Sequence, residues 1–116
     1  MKVLTEGYRY IADNFEEPKG LQSTNFDNPY FGQLIQFIQK EKVTDSDGSE
    51  KLVTVNNGTT NEEVIEILID RLKYLSNKLP SRETSIAITK LEEALMWLEK
   101  RTKDRIKRNV EGTYQK

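Results

Sequence analysis

The sequence contains no histidine and no cysteine. Without cysteine there is no disulfide framework and no thiol nucleophile, and without histidine the commonest zinc ligand and neutral-pH proton shuttle is missing. The six glycines are scattered, so no glycine-rich phosphate loop is apparent. No pair of carboxylates stands out for acid–base catalysis. We therefore expect a protein that is not an enzyme and that uses neither a metal ion nor a cofactor.

Apolar residues are also scarce, at 35% of the 116 residues. No run approaches the ~18 apolar residues of a membrane-spanning helix, and the start, MKVLTEGYRY, lacks the apolar stretch of a signal peptide. A chain of this length suits one domain that buries roughly 65% of its unfolded surface. These features predict a cytosolic single domain, residues 1–116, that would gain core by self-association.

Charge is nearly balanced over the whole chain, at −1, but it is unevenly distributed. Residues 1–50 carry five Lys or Arg and nine Asp or Glu, a net charge of −4, whereas residues 51–116 carry thirteen against ten, a net charge of +3. Six of the nine residues in KRTKDRIKR, 100–108, are basic. The acidic first half disfavours binding to long DNA or RNA, for which a strongly basic domain is usual.

The first half of the chain carries strand and turn patterns. GYRYIADNF (7–15) is rich in aromatic and β-branched residues, and QLIQFIQKEK (33–42) alternates imperfectly between apolar and polar residues, so each predicts a strand. TDSDGSE (44–50) carries an Asp-Gly turn signal before KLVTVNN (51–57). Residues 16–31 are predicted to be irregular because they are rich in Pro, Gly, Asn and Asp. We predict an antiparallel sheet of about three strands, with the turn carboxylates forming a solvated hairpin tip, since the spacing of a calcium loop is incomplete.

The second half carries two helical patterns. The first predicted helix covers residues 61–78, and Pro80 prevents it from continuing. The second begins after the capping residue Ser81 and persists to about Arg108. Their short connection makes the two helices antiparallel neighbours. Apolar residues recur at spacings of three and four in both: Ile65, Leu68, Leu72 and Leu75 in the first helix, and Ile88, Leu91, Leu95 and Leu98 in the second.

The predicted fold class is therefore α+β. A small N-terminal antiparallel β-sheet, within residues 1–56, precedes a C-terminal two-helix hairpin and tail, residues 57–116. Because both helices have a broad apolar face, the hairpin needs a further layer to cover it: the sheet, another subunit, or both.

One side of the second helix carries cations and the only tryptophan beside the apolar stripe: Lys90, Trp97, Arg101 and Arg108, with Arg105 at the border. Three interpretations compete. The cations complement the helix dipole and form ion pairs, or they bind a small anionic ligand through guanidinium forks, or they contact a nucleic-acid backbone. Periodicity alone leaves these alternatives open.

Residues 57–116 resemble the helical hairpin of phage anti-defence sponge proteins, and AITKLEEALMWLEKR (87–101) carries most of this similarity. EGYRYIADNF (6–15) and LIQFIQKEK (34–42) are similar to the β-rich N-terminal part of the Thoeris anti-defence family, whose members sequester glycocyclic ADP-ribose signals. The anti-CBASS cyclic-nucleotide sponges share the helical hairpin.

The resemblance implies a non-enzymatic sponge that binds the TIR-produced cyclic ADP-ribose signal without cleaving it. It also implies dimers and hexamers, a second inter-subunit site for cyclic di- or trinucleotides, and action in the cytoplasm of a host bacterium. The alternatives are a sponge for cyclic oligonucleotides only, and a phage structural or regulatory protein whose hairpin oligomerises.

The resemblance directs attention to three groups of candidate ligand-binding residues. Candidates for phosphate are Arg82, Lys90, Arg101, Arg105 and Arg108. Candidates for stacking on adenine are Trp97, Tyr8, Tyr10 and Phe15. Candidates for the ribose hydroxyls, in a tail that folds over the ligand, are Glu111, Gly112 and Thr113.

Overall fold

The computed structural model describes residues 1–16 and 32–107 and confirms the α+β class, with antiparallel strands preceding two helices. The elements are β1 (Lys2–Thr5), β2 (Arg9–Asp13), β3 (Gly32–Gln36), β4 (Gln39–Thr44), β5 (Glu50–Asn56), α1 (Asn61–Lys78) and α2 (Arg82–Lys107). The chain divides into two compact units: Met1–Lys40 with Thr54–Thr59, and Glu41–Val53 with Thr60–Lys116. Neither α1 nor α2 has an apolar stretch sufficient to cross a membrane.

Strands β1, β2 and β3 form an antiparallel sheet in that order, and β1 was not predicted. Strand β1 has only four residues, too few to show an alternating pattern in the sequence. Its position is determined by the tight turn that connects it to β2. The Tyr8 N–H donates to the Thr5 carbonyl at 3.0 Å, and Gly7 adopts a φ of 81° in the turn. Ile11, in the middle strand, is only 3% exposed and forms the core of this unit.

The prediction of one continuous strand over 33–42 is wrong, because the chain changes partners at Phe37. Its N–H donates to the Tyr8 carbonyl at 2.7 Å, and the residue forms an isolated parallel bridge with Thr59. The Ile38 N–H donates to the Thr59 carbonyl, and the Thr59 N–H donates to the Gln36 carbonyl. Strand β3 therefore ends at residue 36. Strands β4 and β5 form a separate two-stranded sheet, so the predicted strands do not share one sheet.

The parallel bridge requires glycine at position 58. A Cβ atom there would lie 2.5 Å from the Gln36 carbonyl oxygen and 2.5 Å from the Phe37 carbonyl carbon. We expect Gly58→Ala to lower the free energy of unfolding by about 1–3 kcal/mol and to accelerate hydrogen exchange at the Ile38 and Thr59 amides. Gly48→Ala separates the two causes of destabilisation: its φ of 86° disfavours a Cβ, but the added methyl group meets nothing within 4 Å, so it should leave the Ile38 and Thr59 amides protected. The prediction fails if both amides stay protected in Gly58→Ala.

The turn between β4 and β5 is held by a short hydrogen-bond network. The Ser49 hydroxyl donates to Asp47 Oδ1 at 2.7 Å, and the Ser49 backbone N–H donates to the same oxygen at 2.9 Å. These donors, the hydroxyl first, lower the pKa of Asp47 below its ordinary value. The turn carboxylates thus form part of the hairpin tip, as predicted.

This network makes a small contribution to stability that depends on pH. Because the folded-state pKa of Asp47 is lowered, the contribution is present above the ordinary aspartate pKa of about 4. It is lost as the pH falls through the folded-state value. We expect Ser49→Ala to raise the pKa of Asp47 in an NMR titration, whereas Ser49→Thr, which keeps the hydroxyl, leaves it lowered. An unchanged pKa in Ser49→Ala would contradict the assignment of the hydroxyl as the main cause.

Each helix begins after a residue whose hydroxyl caps it, and the cap of α2, Ser81, was predicted. Thr60 caps α1, its hydroxyl accepting from the Glu63 N–H at 3.3 Å, and the Ser81 hydroxyl accepts from the Thr84 N–H at 3.1 Å before α2. These bonds satisfy amides that have no partner inside the helix. The predicted bounds of α1 are confirmed. Helix α2 is described to Lys107, and its predicted end near Arg108 lies outside the described residues.

The helices pack along a seam of half-buried positions. In α2 the predicted stripe of Ile88, Leu91, Leu95 and Leu98 is confirmed. It is extended at the same alternating spacings of four and three by the half-buried Thr84 and Thr102 and the buried Arg105. In α1 the most buried residue is Ile69, which the prediction omitted. Leu68 and Leu75, which it included, are 44% and 37% exposed. A single partner helix covers only a narrow stripe, so the flanking leucines stay accessible.

Candidate functional site

The candidate cations lie at three levels along α2. Arg82 is in the first turn, Lys90 is in the middle, and Arg101 and Arg105 are near the described end. A helix rises 1.5 Å per residue, so Arg82 and Arg101 are about 28 Å apart along the axis. That distance exceeds the size of a compact diphosphate ligand. Arg82 and Arg101 of one chain therefore cannot hold the same molecule.

Arg101 and Arg105 are neighbours, one turn apart on the same side of α2, and we call them the cationic end. Lys90 lies further back, with its Nζ 3.7 Å from Glu93 Oε2. Both partners of that ion pair are exposed, so it contributes little to stability. Four predicted site residues, Arg108, Glu111, Gly112 and Thr113, lie outside the described residues.

Arg105 differs from the other cations because its side chain is buried, at 3% exposure. Within residues 1–16 and 32–107, it is the only charged residue whose side chain is buried. It continues the seam of α2, where the preceding positions are apolar or threonine. Burying a guanidinium costs free energy unless hydrogen bonds and counter-charges compensate it. A charge at such a position can belong to a functional site or to a structural ion pair.

The antiparallel alignment places Arg105 at the N-terminal end of α1. Lys73 Nζ lies 3.4 Å from Glu92 Oε2, which sets residue 73 opposite residue 92. By the same alignment Arg105 is level with Thr60, the cap of α1. The N-terminus of a helix carries a partial positive charge, so two electropositive features meet at this end. Glu62 and Glu63, in the first turn of α1, offset part of that charge.

Two grooves on the helical hairpin have the wrong charge for a phosphate ligand. One, of about 490 Å³, is lined by four carboxylates, three apolar residues and one amine: Glu66, Asp70, Glu92, Glu99, Ile69, Leu95, Met96 and Lys73. The other lies on α1 and is lined by Glu63, Glu66, Ile67, Asp70, Arg71 and Tyr74. This acidic side was not predicted, although Glu66 with Asp70, and Glu92 with Glu99, lie at helical spacings that indicate it.

The candidate aromatic residues have different surroundings. The ring of Tyr10 packs edge-on against Phe37, with centroids 6.0 Å apart, so it already contributes to the core of its unit. Tyr8 is half-buried, whereas Phe15 is exposed. Trp97 is 70% exposed on α2, one turn from Arg101. A tryptophan this exposed does not serve the core of a single chain, which leaves it available for a ligand or a second copy.

Metal ligands are not grouped in the described part of the chain. No cluster of three or more Asp, Glu, His or Cys side chains that could hold an ion occurs among residues 1–16 and 32–107. The acidic groove includes Lys73, whose ammonium group is paired with Glu92.

Comparison with known proteins places the helical hairpin in a defined family. Residues 39–103 match the family model described as "Acb2/Tad1, hairpin domain". A relative from Bacillus phage SBSphiJ7, named "Thoeris anti-defense 1", is 49% identical over 88 residues, which is 66% of this chain and 62% of the relative. The match thus spans less than two thirds of that relative's length. The family match includes β4, β5, α1 and α2 as far as residue 103.

Proposed function

Because the chain belongs to the family of the Acb2/Tad1 hairpin domain, we propose that it is an anti-defence protein that sequesters a nucleotide immune signal. The name of the Bacillus phage relative, Thoeris anti-defense 1, supports the role in anti-defence. The proposed ligand is a glycocyclic ADP-ribose made by a TIR-domain enzyme. Removing this signal would prevent activation of the Thoeris effector in the cytoplasm of the host bacterium.

The observation that carries this proposal is the guanidinium of Arg105, buried at the seam beside Arg101. A glycocyclic ADP-ribose carries two phosphates, and arginine forks suit such oxyanions because they donate two parallel hydrogen bonds. The N-terminus of α1 lies at the same level and adds to the positive potential. The acidic grooves elsewhere on the hairpin would repel the ligand, which favours the cationic end.

Sequestration without chemistry is consistent with the residue types available. Neither histidine nor cysteine is present. A sponge needs affinity in place of catalysis, and a nanomolar dissociation constant corresponds to about −12 kcal/mol. Two phosphates held by charge-assisted bonds and an adenine stacked on an aromatic ring can reach that value when the walls are rigid. Trp97 is the proposed stacking surface.

The proposed assembly has more than one copy. The seam of the hairpin leaves large apolar side chains uncovered, including Leu68, Trp97 and Ile106. Dimers and hexamers would cover such surface and would bring the cationic ends against neighbouring walls. A second site between subunits, for cyclic di- or trinucleotides, is also part of the proposal and would extend the activity to CBASS signals.

The test is to incubate the purified protein with glycocyclic ADP-ribose, remove the protein by filtration, and then denature it by heat. We expect the free signal to be depleted and then recovered intact. Recovery of a degraded product would indicate an enzyme, and no depletion would contradict sequestration of this signal. Parallel incubations with cyclic di- and trinucleotides test the second site. Depletion of those ligands alone would favour the sponge restricted to cyclic oligonucleotides, and no depletion at all would favour an oligomerisation protein.

A further inference from the structure

Asn57 and Gly58 form the only Asn-Gly pair in the chain. Both residues are exposed, and they lie between β5 and α1. Glycine has no side chain, so nothing shields its backbone nitrogen from the asparagine side chain that precedes it. In such a pair the nitrogen can attack the side-chain amide, close a cyclic imide and expel ammonia. In a folded chain, the rate of this reaction depends on how the two groups are held.

The structure holds the two reacting groups in contact. The Gly58 N–H donates to Asn57 Oδ1 at 3.0 Å, so the side-chain carbonyl is folded back onto the nitrogen that would attack it. A contact of this kind removes part of the entropy cost of closing the ring. Asn56 provides a contrast, because its side-chain amide donates to Gln39 Oε1 at 3.2 Å and the residue after it carries a side chain. Asn57 is therefore the asparagine arranged to react.

The side chain of Gln36 is placed to promote this reaction. Its Nε2 donates to the Asn57 backbone carbonyl oxygen at 2.9 Å. That oxygen belongs to the same peptide group as the attacking nitrogen of Gly58. When the nitrogen loses its proton, the negative charge is shared with the oxygen. A donor that already points at an atom where charge develops stabilises the transition state. The hydrogen bond from Gln36 should therefore lower the barrier to ring closure.

We propose that Asn57 is a site of spontaneous deamidation, promoted by the hydrogen bond from Gln36. Hydroxide removes the proton of the Gly58 N–H, and the nitrogen forms a bond to Asn57 Cγ. The bond from Cγ to Nδ2 then breaks, and ammonia leaves with a proton taken from water. A second water opens the cyclic imide at either carbonyl, which gives aspartate or β-linked isoaspartate. The net change consumes one water and releases one ammonia, with no oxidation or reduction.

The β-linked product would disrupt the parallel bridge. Isoaspartate routes the main chain through the side chain, so it adds one carbon atom to the backbone immediately before Gly58. There is little room for this change, because a Cβ atom on Gly58 would already lie 2.5 Å from the Gln36 carbonyl oxygen. The Thr59 N–H donates to that carbonyl at 2.8 Å, and the Ile38 N–H donates to the Thr59 carbonyl at 2.9 Å. Both bonds depend on the position of Gly58.

The test is to incubate the purified full chain at neutral and at mildly alkaline pH, and to analyse its peptides by mass spectrometry over time. Isoaspartate methyltransferase with labelled methyl donor detects the β-linked product. We expect modification at Asn57 and none at Asn56, at a rate that rises with hydroxide concentration because the nucleophile is the deprotonated nitrogen. The modified protein should exchange its Ile38 and Thr59 amide hydrogens faster than the fresh protein does.

Substitutions of two glutamines test the part played by the hydrogen bond. Gln36→Met removes the donor and should slow deamidation about three- to tenfold, the effect of losing one exposed hydrogen bond from the transition state. Gln36→Glu, which presents a carboxylate instead of a donor, should slow it as well. Gln39→Met is the matched control, because that side chain binds Asn56, and its rate should equal that of the wild type.

The opposite account is that the close packing of Gly58 restrains the chain and protects Asn57. It predicts that the wild type stays unmodified, or that the Gln36 variants loosen the bridge and react faster. An intact residue 57 in the wild type, or a rate that is not lowered in either Gln36 variant, would overturn the proposal. Asn57→Gln should abolish modification at this position, since its longer side chain would have to close a larger ring.

Discussion

Arg105→Ala is expected to weaken binding of glycocyclic ADP-ribose by roughly 10- to 100-fold. Hydrogen bonds to a charged group contribute about 1.5–3 kcal/mol each, and a factor of ten in affinity corresponds to about 1.4 kcal/mol. Arg105→Lys should recover little of this loss, because an ammonium group is a point charge and cannot form the planar fork. Isothermal titration with the purified signal measures both changes.

The burial of Arg105 requires controls for folding. Arg105→Met keeps an aliphatic chain of similar length at the seam and removes only the charged head, so it should show the same loss of binding. Thermal unfolding of each variant, followed by circular dichroism, verifies that the helices remain. Lys103→Ala removes an exposed cation on another side of α2 and should leave the affinity unchanged. If Arg105→Met binds as tightly as the wild type, Arg105 is a packing residue and the proposed phosphate contact is wrong.

The helical hairpin could be predicted from sequence because its determinants are local. Thr60 and Ser81 provide the capping hydroxyls, and Pro80 separates the two helices. The half-buried stripe of α2 could be predicted from the spacing of its apolar residues alone. The seam of α1 could not be assigned as reliably, since Ile67, Leu68 and Ile69 are three consecutive apolar residues and only the position of the partner helix decides which of them is buried.

The strands could be predicted less well because long-range contacts determine where they end. Nothing local in LIQFIQKEK marks a break at Phe37. The break arises from hydrogen bonds to Tyr8 and Thr59, which are 29 and 22 residues away in sequence. A hydrophobic pattern specifies which side of a strand is buried, but it does not specify which neighbour receives each backbone hydrogen bond.

The positions of the candidate residues on α2 could be predicted from the sequence, but their burial could not. Periodicity placed Arg101 and Arg105 together and set Arg105 at the border of the apolar stripe, whereas its depth of burial depends on packing at the end of the hairpin. Arg82 was grouped with them through the family resemblance, and the helix rise shows that one chain cannot unite them. Which residues from two copies share a pocket is a property of the assembly, and it cannot be obtained from the sequence of one chain.

Ala94→Arg, which places a bulky cation on the exposed side of α2 next to Trp97 and is meant to prevent self-association, is expected to lose signal binding although Arg101 and Arg105 are unchanged. Arg101 is exposed on a single hairpin, so one copy would contact only one side of the ligand. If the partner supplies about half of the −12 kcal/mol that nanomolar binding requires, its loss leaves a dissociation constant of tens of micromolar. Depletion of the signal at submicromolar protein should therefore disappear.

The positive charge that Ala94→Arg adds makes this result informative. An added arginine on α2 increases the positive charge near the site, so electrostatics alone would strengthen the binding of a diphosphate. A loss of affinity can then be attributed to the loss of the second copy. Met96→Arg adds the same charge and should keep both the dimer and the affinity. If Ala94→Arg is monomeric and still binds with nanomolar affinity, one chain encloses the ligand by itself, and the shared pocket must be abandoned while sequestration stands.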